Sequence, residues 1–224
     1  MILPRPDLPG WADLPFWDTA FPAVQQALEA DTRHILPPVD DVFRALALVA
    51  PDDCRVVILG QDPYHTRGKP DGLAFSIRDD FAGRLDSLGN IFKEIESDTG
   101  AQRTKTTLDD WAQQGVLLLN TALTVPEGAA KGHAKLGWNA LTRDVLMRLG
   151  DRPRAFVLWG GHARGFAKHI TAPPTGAHLI HESAHPSPLS VKAFRGTRPF
   201  SAVNDWLKAQ GKPPIHWGDP ERGS

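Results

Sequence analysis

Four apolar runs of strand length divide the chain: Arg55–Leu59, Val116–Leu119, Ala155–Trp159 and His178–Ile180. None alternates cleanly between apolar and polar positions, which is the pattern of strands buried on both faces. Around them the pattern predicts helices over Phe21–Ala30, Asp41–Val49, Leu88–Glu96, Asp109–Gln114, Ala140–Leu149, His162–Ile170 and Ala202–Gln210. Pro22 falls in the first turn of the first helix, where a missing N–H costs nothing. Thr107 and Asp110 read as a capping box for the fourth. Consecutive strands are separated by enough chain for a helical crossover. This rhythm predicts an α/β fold in three layers, α/β/α, with a parallel sheet between helices.

The polar and glycine positions of interest follow the strands closely: Asp62, Asn120, Gly160 and His185. In an open α/β sheet, ligands bind beyond the C-terminal ends of the strands. Four such ends converging on one rim make a site, whatever its chemistry. The densest cluster is Gly60-Gln61-Asp62-Pro63-Tyr64-His65, directly after Val56–Leu59. It delivers an acid, an aromatic ring and an imidazole together, and Pro63 stiffens the backbone beside the acid.

Composition narrows the function classes. At 224 residues and 41% hydrophobic, the chain is expected to form one domain, 1–224. Its formal charge of −1 means that any polyanion contact must come from a local patch. Cys54 is the only cysteine, which excludes an internal disulfide and reads as a small buried hydrophobe. No run approaches the roughly 18 apolar residues of a membrane span, and Met1–Pro6 lacks a signal-peptide core. A soluble, cytoplasmic protein is expected. The segments richest in Pro and Gly, the start and Gly211–Ser224, read as arms packed over the domain.

With these residues in view, the sequence resembles uracil-DNA glycosylases of the main, uracil-specific family. The resemblance runs from Ile35-Leu36-Pro37-Pro38 to Pro213-Pro214-Ile215-His216-Trp217. Gly60–His65 matches the water-activating motif. Gly72-Leu73-Ala74-Phe75-Ser76 matches the segment with the uracil-stacking ring, and Leu117-Leu118-Leu119-Asn120 the strand ending in the uracil-reading amide. His185-Pro186-Ser187-Pro188-Leu189-Ser190 matches the loop holding the catalytic imidazole and the residue inserted into DNA. All four occur in order.

The resemblance implies a four-stranded parallel sheet in the order 2-1-3-4 and hydrolysis of the N-glycosidic bond of uracil in DNA. Free uracil and an abasic site are the products, with no cofactor and no metal. The substrate is uracil-containing single- and double-stranded DNA. A monomer is expected, open to binding by uracil-glycosylase inhibitor proteins.

By the same resemblance Asp62 and His185 are the catalytic residues. A carboxylate stabilises the positive charge that develops on the sugar and orients water. A neutral imidazole can donate to uracil O2 as the base departs. Gln61 is a backbone contact to the base. Asn120 accepts from uracil N3–H and donates to O4, a pattern that cytosine reverses. Phe75 lies against the uracil face, and Tyr64 lies where thymine carries its methyl. Leu189 is the wedge that fills the stack after the base leaves. Ser87, Ser187 and Ser190 meet phosphates, Ser87 also being a candidate N-cap for the Leu88 helix. Lys192, Arg195 and Arg198 follow the wedge loop as a basic cluster. No lysine is assigned as a nucleophile in the pocket.

The departures from the family pattern fall in the DNA clamp. Ala82-Gly83-Arg84-Leu85-Asp86 replaces a proline-rich loop and introduces an Arg–Asp pair. Gly161 stands where a phosphate-touching serine is common, and Val191–Phe200 is slightly shortened. Thr66–Pro70 is more basic than usual, so Arg67 and Lys69 are candidates for electrostatic compensation.

Three other readings compete. His178, His181, Glu182 and His185 suggest a metal hydrolase, but their spacing is not HExxH. A nucleotide-binding protein would need a Walker A run or a Rossmann fingerprint, and neither is present. A catalytically silent DNA- or protein-binding relative would share the fold, but would not need Asp62, Asn120 and His185 together.

Overall fold

A computed structural model describes residues 1–220. Two-residue strands β1 (Ile35–Leu36) and β4 (Val125–Pro126) pair antiparallel at one side of the molecule. The main sheet contains β2 (Val56–Gly60), β3 (Val116–Asn120), β5 (Ala155–Trp159) and β6 (Leu179–Ser183). All its pairings are parallel and its order is β3-β2-β5-β6, which is 2-1-3-4 among the four. The helices are α1 (Phe16–Thr19), α2 (Phe21–Ala30), α3 (Arg44–Leu48), α4 (Ser87–Thr99), α5 (Asp109–Ala112), α6 (Trp138–Arg148), α7 (Gly160–Arg164), α8 (Val191–Phe194) and α9 (Pro199–Ala209). They complete a three-layer α/β/α architecture.

Every residue of β2, β3 and β5 is buried, as their unbroken apolar character requires. The fourth strand differs from the sequence expectation. It runs to Ser183 rather than stopping at Ile180, and His178 lies just before it. An edge strand is buried on fewer sides, so it tolerates His181, Glu182 and Ser183, which an apolar count leaves out. The expected helix Asp41–Val49 is a 3-10 turn at Val39–Asp41 followed by α3. The expected helix His162–Ile170 is interrupted at Gly165, a poor helix former, and resumes as a 3-10 turn at Ala167–His169. Thr107 and Asp110 form no capping box: Thr107 Oγ1 donates to Asp79, and Asp110 accepts from Arg103.

Two aromatic clusters seat the helices. Phe16, Trp17, Phe21, Phe43 and Trp138 meet edge-on or stacked where α1, α2 and α6 converge. Trp111, Phe200 and Trp217 form the second cluster, reaching Trp159 at the end of β5 through Phe200. At the opposite end of the sheet, fully buried Arg154 donates to the carbonyls of Pro51, Cys54 and Leu149 and pairs with Asp151. A buried guanidinium with this many acceptors fixes the starts of β2 and β5. Cys54 is buried there, and burial pushes its thiol up to about 12.

The N-terminal arm is tied down by the Met1 amine to Leu28 O and by Gln25 to Leu3 O. The C-terminal arm buries Trp217 and bonds Asp219 to Thr104 and Lys105. The last four residues of the expected arm and of the expected 1–224 domain lie outside the described residues. No helix among the described residues is long and apolar enough to cross a membrane.

Candidate active site

Parallel register decides which residues meet. Gly60 ends β2 directly opposite Asn120 at the end of β3, and Trp159 ends β5 opposite Ser183. The loops leaving these ends enclose a cavity of about 370 Å³. Gln61, Asp62, Tyr64, Phe75, Ser87, Asn120, His185 and Ser187 line it, together with Pro63, His65, Leu73, Ala130 and Lys131. Eight of the ten sequence-predicted site residues are therefore brought together. Leu189 and Ser190 lie outside the cavity on the loop that bounds it, and Leu189 is fully exposed.

Two glycines make the approach possible. A Cβ on Gly60 would fall 2.2 Å from Asn120 Oδ1, so the amide occupies space that any other residue would claim. Gly160 has φ +85°, and a Cβ there would meet His185 Cβ at 2.9 Å. The Asn120 amide and the His185 imidazole both rest on bare backbone at strand ends. Asn120 is buried and its amide has no side-chain hydrogen bond among the described residues. Its polar atoms are not sealed from solvent, so the amide opens onto the cavity with its hydrogen-bonding groups free for a ligand.

Asp62 is held from the far side of the cavity. The Lys131 N–H donates to Asp62 Oδ2 at 2.6 Å, and Gln61 Nε2 approaches Oδ1 at 3.4 Å. Lys131 takes φ +62°, an uncommon conformation for a side-chain-bearing residue, in a loop bounded by Gly128 and Gly132. That loop is latched by Gly128 N–H to His65 O and Glu127 N–H to His34 O. No lysine is assigned as a nucleophile from the sequence; Lys131 lines the cavity, and only the flanking glycines hint at its turn. Lys131 is exposed, so it lacks the apolar burial that makes a lysine nucleophilic.

His185 has a defined tautomer. The Ser187 N–H donates to its Nδ1 at 3.0 Å, which places the proton of the neutral ring on Nε2. Burial lowers its pKa from the ordinary 6.5; Asp62 pulls it upward and Lys131 pushes it further down. The neutral ring is thus a donor through Nε2. Its loop is fixed by Ser190 Oγ donating to His185 O (2.7 Å), by Ser187 and Ser190 Oγ in contact (3.1 Å), and by Asn90 Nδ2 to Pro186 O (2.8 Å). The Ser190 proton is used inside the loop, so that hydroxyl donates to a phosphate only by turning out of its bond to His185 O.

Phe75 forms an aromatic wall with Trp159 (5.3 Å between ring centroids) and His185 (5.8 Å). It adopts φ +67°, a strained backbone of the sort that concentrates at functional sites. Asp71 over-determines the turn: it accepts from Leu73 N–H and Ser76 Oγ, and pairs with Arg44. Tyr64 donates to Phe75 O at 3.2 Å, and burial raises its phenol pKa. Lys69 Nζ lies over the Tyr64 ring at 4.3 Å and bonds Asp86 at 2.5 Å.

Three expectations about the clamp need correction. Lys69 is buried and paired, so it is no surface cation for DNA. Asp86 pairs with Lys69 rather than with Arg84, because Lys69 reaches it from beneath. Ser87 is not an N-cap; it is the first residue of α4, and Asp86 precedes it at φ +49°. Arg67, the other candidate cation, pairs with Glu127. The ligand-like set of the metal reading is dispersed: His178 Nε2 meets Thr171 O and His181 Nε2 meets Thr197 O. No group of three or more His, Cys, Asp or Glu is placed to hold a metal among the described residues.

Comparisons with known proteins point to one family. Residues 47–208 match the model of the Uracil DNA glycosylase superfamily. A uracil-DNA glycosylase of Ruegeria sp. (strain TM1040) is 50% identical over 217 residues, covering 96% of this chain and 92% of the relative. The crystal structure of mimivirus uracil-DNA glycosylase superposes with a TM-score of 0.85 at 27% identity, covering 97% of this chain and 88% of that one. A mimivirus UNG variant in complex with UGI matches with the same score and identity, covering 97% and 90%.

Proposed function

The chain belongs to the uracil-DNA glycosylase superfamily and removes uracil from DNA by hydrolysis, and we propose that it does so through the strand-end cavity without a covalent enzyme intermediate. The observation that carries this reading is the facing pair of Asp62, anchored through Oδ2, and His185, a neutral Nε2 donor, in one cavity with an unpartnered Asn120 amide.

In the proposed reaction, uracil enters extrahelically against Phe75. Asn120 pairs with N3–H and O4, while cytosine would leave buried polar groups unmatched. Tyr64, hydrogen-bonded to Phe75 O, holds its ring where a 5-methyl would need space. As the glycosidic bond lengthens, positive charge grows on the sugar and negative charge on the base. Asp62 stabilises the first and orients the attacking water; His185 donates from Nε2 to O2 and stabilises the second. Water then adds at C1′ with its proton passing to Asp62, and the departing uracil anion takes up that proton in turn, leaving an abasic sugar and free uracil.

Leu189 is proposed as the wedge, supported by its full exposure at the tip of a hydrogen-bonded loop. Ser87, Ser187 and Ser190 are proposed phosphate contacts, and Gln61 a backbone contact to the base. Residues 1–224 are proposed to act as one cytoplasmic, monomeric unit. Capture by UGI is proposed from the complex formed by the mimivirus UNG variant.

The test is a panel of duplexes carrying U·G, U·A and T·G, with single-stranded uracil DNA alongside. Free uracil should appear from every uracil substrate and no thymine from T·G. The strand should remain unbroken, and borohydride should trap no protein–DNA adduct. Binding without uracil release would identify a silent relative, and a trapped adduct formed at turnover rates would implicate Lys131 as a nucleophile.

A further inference from the structure

A second cleft, of about 610 Å³, lies beside the active site between α6 and α7. Arg143, Lys168, Asn139, His162, His169 and Phe166 supply its side chains, and no acidic residue lines it among the described residues. In a chain with 26 acidic and 25 basic residues, an acid-free cleft with two fixed cations is a local departure from the overall balance. Lys168 is exposed and has no carboxylate within ion-pair distance among the described residues. Arg143 leans on Asp144 at 2.9 Å through Nε and one Nη, which leaves its other Nη available to a ligand.

The cleft adjoins the proposed uracil cavity through a smaller cavity that shares walls with both. Gly161 and His162 line both it and a small cavity of about 120 Å³ whose other walls include Gln61 and His185. Gly161 leaves the passage unobstructed, since a Cβ there would meet no atom within 4 Å. His162 is tethered to the active-site loop: its Nε2 lies 2.6 Å from Thr121 Oγ1, which donates to Gln61 O at 2.9 Å. Because that hydroxyl proton is used on Gln61, His162 donates from Nε2 and presents its other ring nitrogen elsewhere.

We propose that this cleft binds the phosphodiester backbone of the DNA strand on one side of the excised nucleotide, with Lys168 and Arg143 as its cationic contacts. The inference rests on the uracil-glycosylase reading of the neighbouring cavity and extends it to one flank of the substrate. A strand leaving the uracil cavity past Gly161 enters a channel with charge complementary to its phosphates, neutral donors on Asn139 and His169, and an aromatic wall at Phe166. Lys168 and Arg143 together hold the His169 pKa down beyond the effect of burial, as expected where cations crowd one another. An anion between them relieves that repulsion.

The experiment compares two single strands of about 16 nucleotides. One carries uracil near its 5′ end and the other near its 3′ end, so that each offers one flank. A minimal uracil oligonucleotide serves as the flank-free reference. Lys168→Glu should raise KM roughly tenfold on one of the two strands, leaving the other strand and the reference unchanged. On the affected strand the salt dependence should become shallower, by about 0.7 in log–log slope for each phosphate that is no longer neutralised. Arg143→Gln should weaken the same strand, with thermal midpoints confirming that both variants are folded. An equal rise on both strands, or none on either from a folded Lys168→Glu, would overturn the proposal. If the native protein releases no uracil from the reference, the glycosylase reading itself has failed and the cleft loses its occupant.

Discussion

The proposed uracil cavity and the rim proposed to face DNA are built on different principles. In the cavity, backbone holds Asp62 through the Lys131 N–H and His185 through the Ser187 N–H, and Asn120 occupies the space that Gly60 leaves open. On the rim, Leu189 is fully exposed, and Arg67 already has a carboxylate partner. The cavity is pre-organised before any ligand arrives, which is what transition-state stabilisation requires. The rim needs only a stiff loop and local positive charge. Changes in the cavity should therefore alter chemistry and base choice, whereas changes on the rim should alter engagement with DNA.

The largest break in this contrast should come from Asp62→Asn. It keeps the size and much of the contact to the Lys131 N–H while removing the charge opposite the developing sugar cation. Single-turnover rates should fall by about 10²–10³ or more on single-stranded and duplex uracil alike, with little loss of DNA affinity. A near-native rate would remove Asp62 from the chemistry.

Gly60→Ala should come next, although Gly60 is not itself a member of the proposed recognition set. Its new Cβ would lie 2.2 Å from Asn120 Oδ1 and 2.9 Å from Ala74 Cβ, so the amide must move. Displacing a positioned group by about 1 Å can cost about 10² in rate. The loss should appear on every uracil substrate; an unaltered rate in a folded variant would mean that the Asn120 position is not critical.

Acid should test the state of His185. Burial lowers its pKa below 6.5, so the neutral donor persists there and is lost only as pH falls through the lowered value. Because the unfolded chain takes up the proton first, the same group contributes stability that is present above the unfolded pKa and disappears on further acidification. NMR titration of the ring should give a midpoint below 6.5; one at or above it contradicts the buried neutral donor.

Leu189→Ala should have the smallest effect, about tenfold on duplex and less on single strands, since an unpaired base has less stacking to lose. Matched single-turnover rates at one salt concentration decide this. Equal losses on both substrates would make Leu189 a support for its loop rather than a wedge.

The same contrast explains what could be read from the sequence. The strands were legible because buried parallel strands are written as apolar runs, and the cavity residues follow those runs within a few positions; the strand order came through the family resemblance. The Lys131 turn was not legible, because its role is played by a backbone N–H that any residue but proline possesses. Lys69 looked like a surface cation because burial and pairing with Asp86 arise from chain packing between distant segments. The β1–β4 pair is too short for a periodic signal, and the break at Gly165 depends on the competition between a helix and a turn.

The central claim is that the Asn120 amide, seated in the space that Gly60 leaves open, chooses the base. The most direct test is the ratio of single-turnover rates of Asn120→Asp on uracil and on cytosine in the same single-stranded sequence. A carboxylate at this position can accept from cytosine N4–H₂, so the uracil-to-cytosine ratio should fall by about 10² or more even though the variant is slow on both bases. A variant that loses rate equally on uracil and cytosine, with the native ratio intact, would contradict the account.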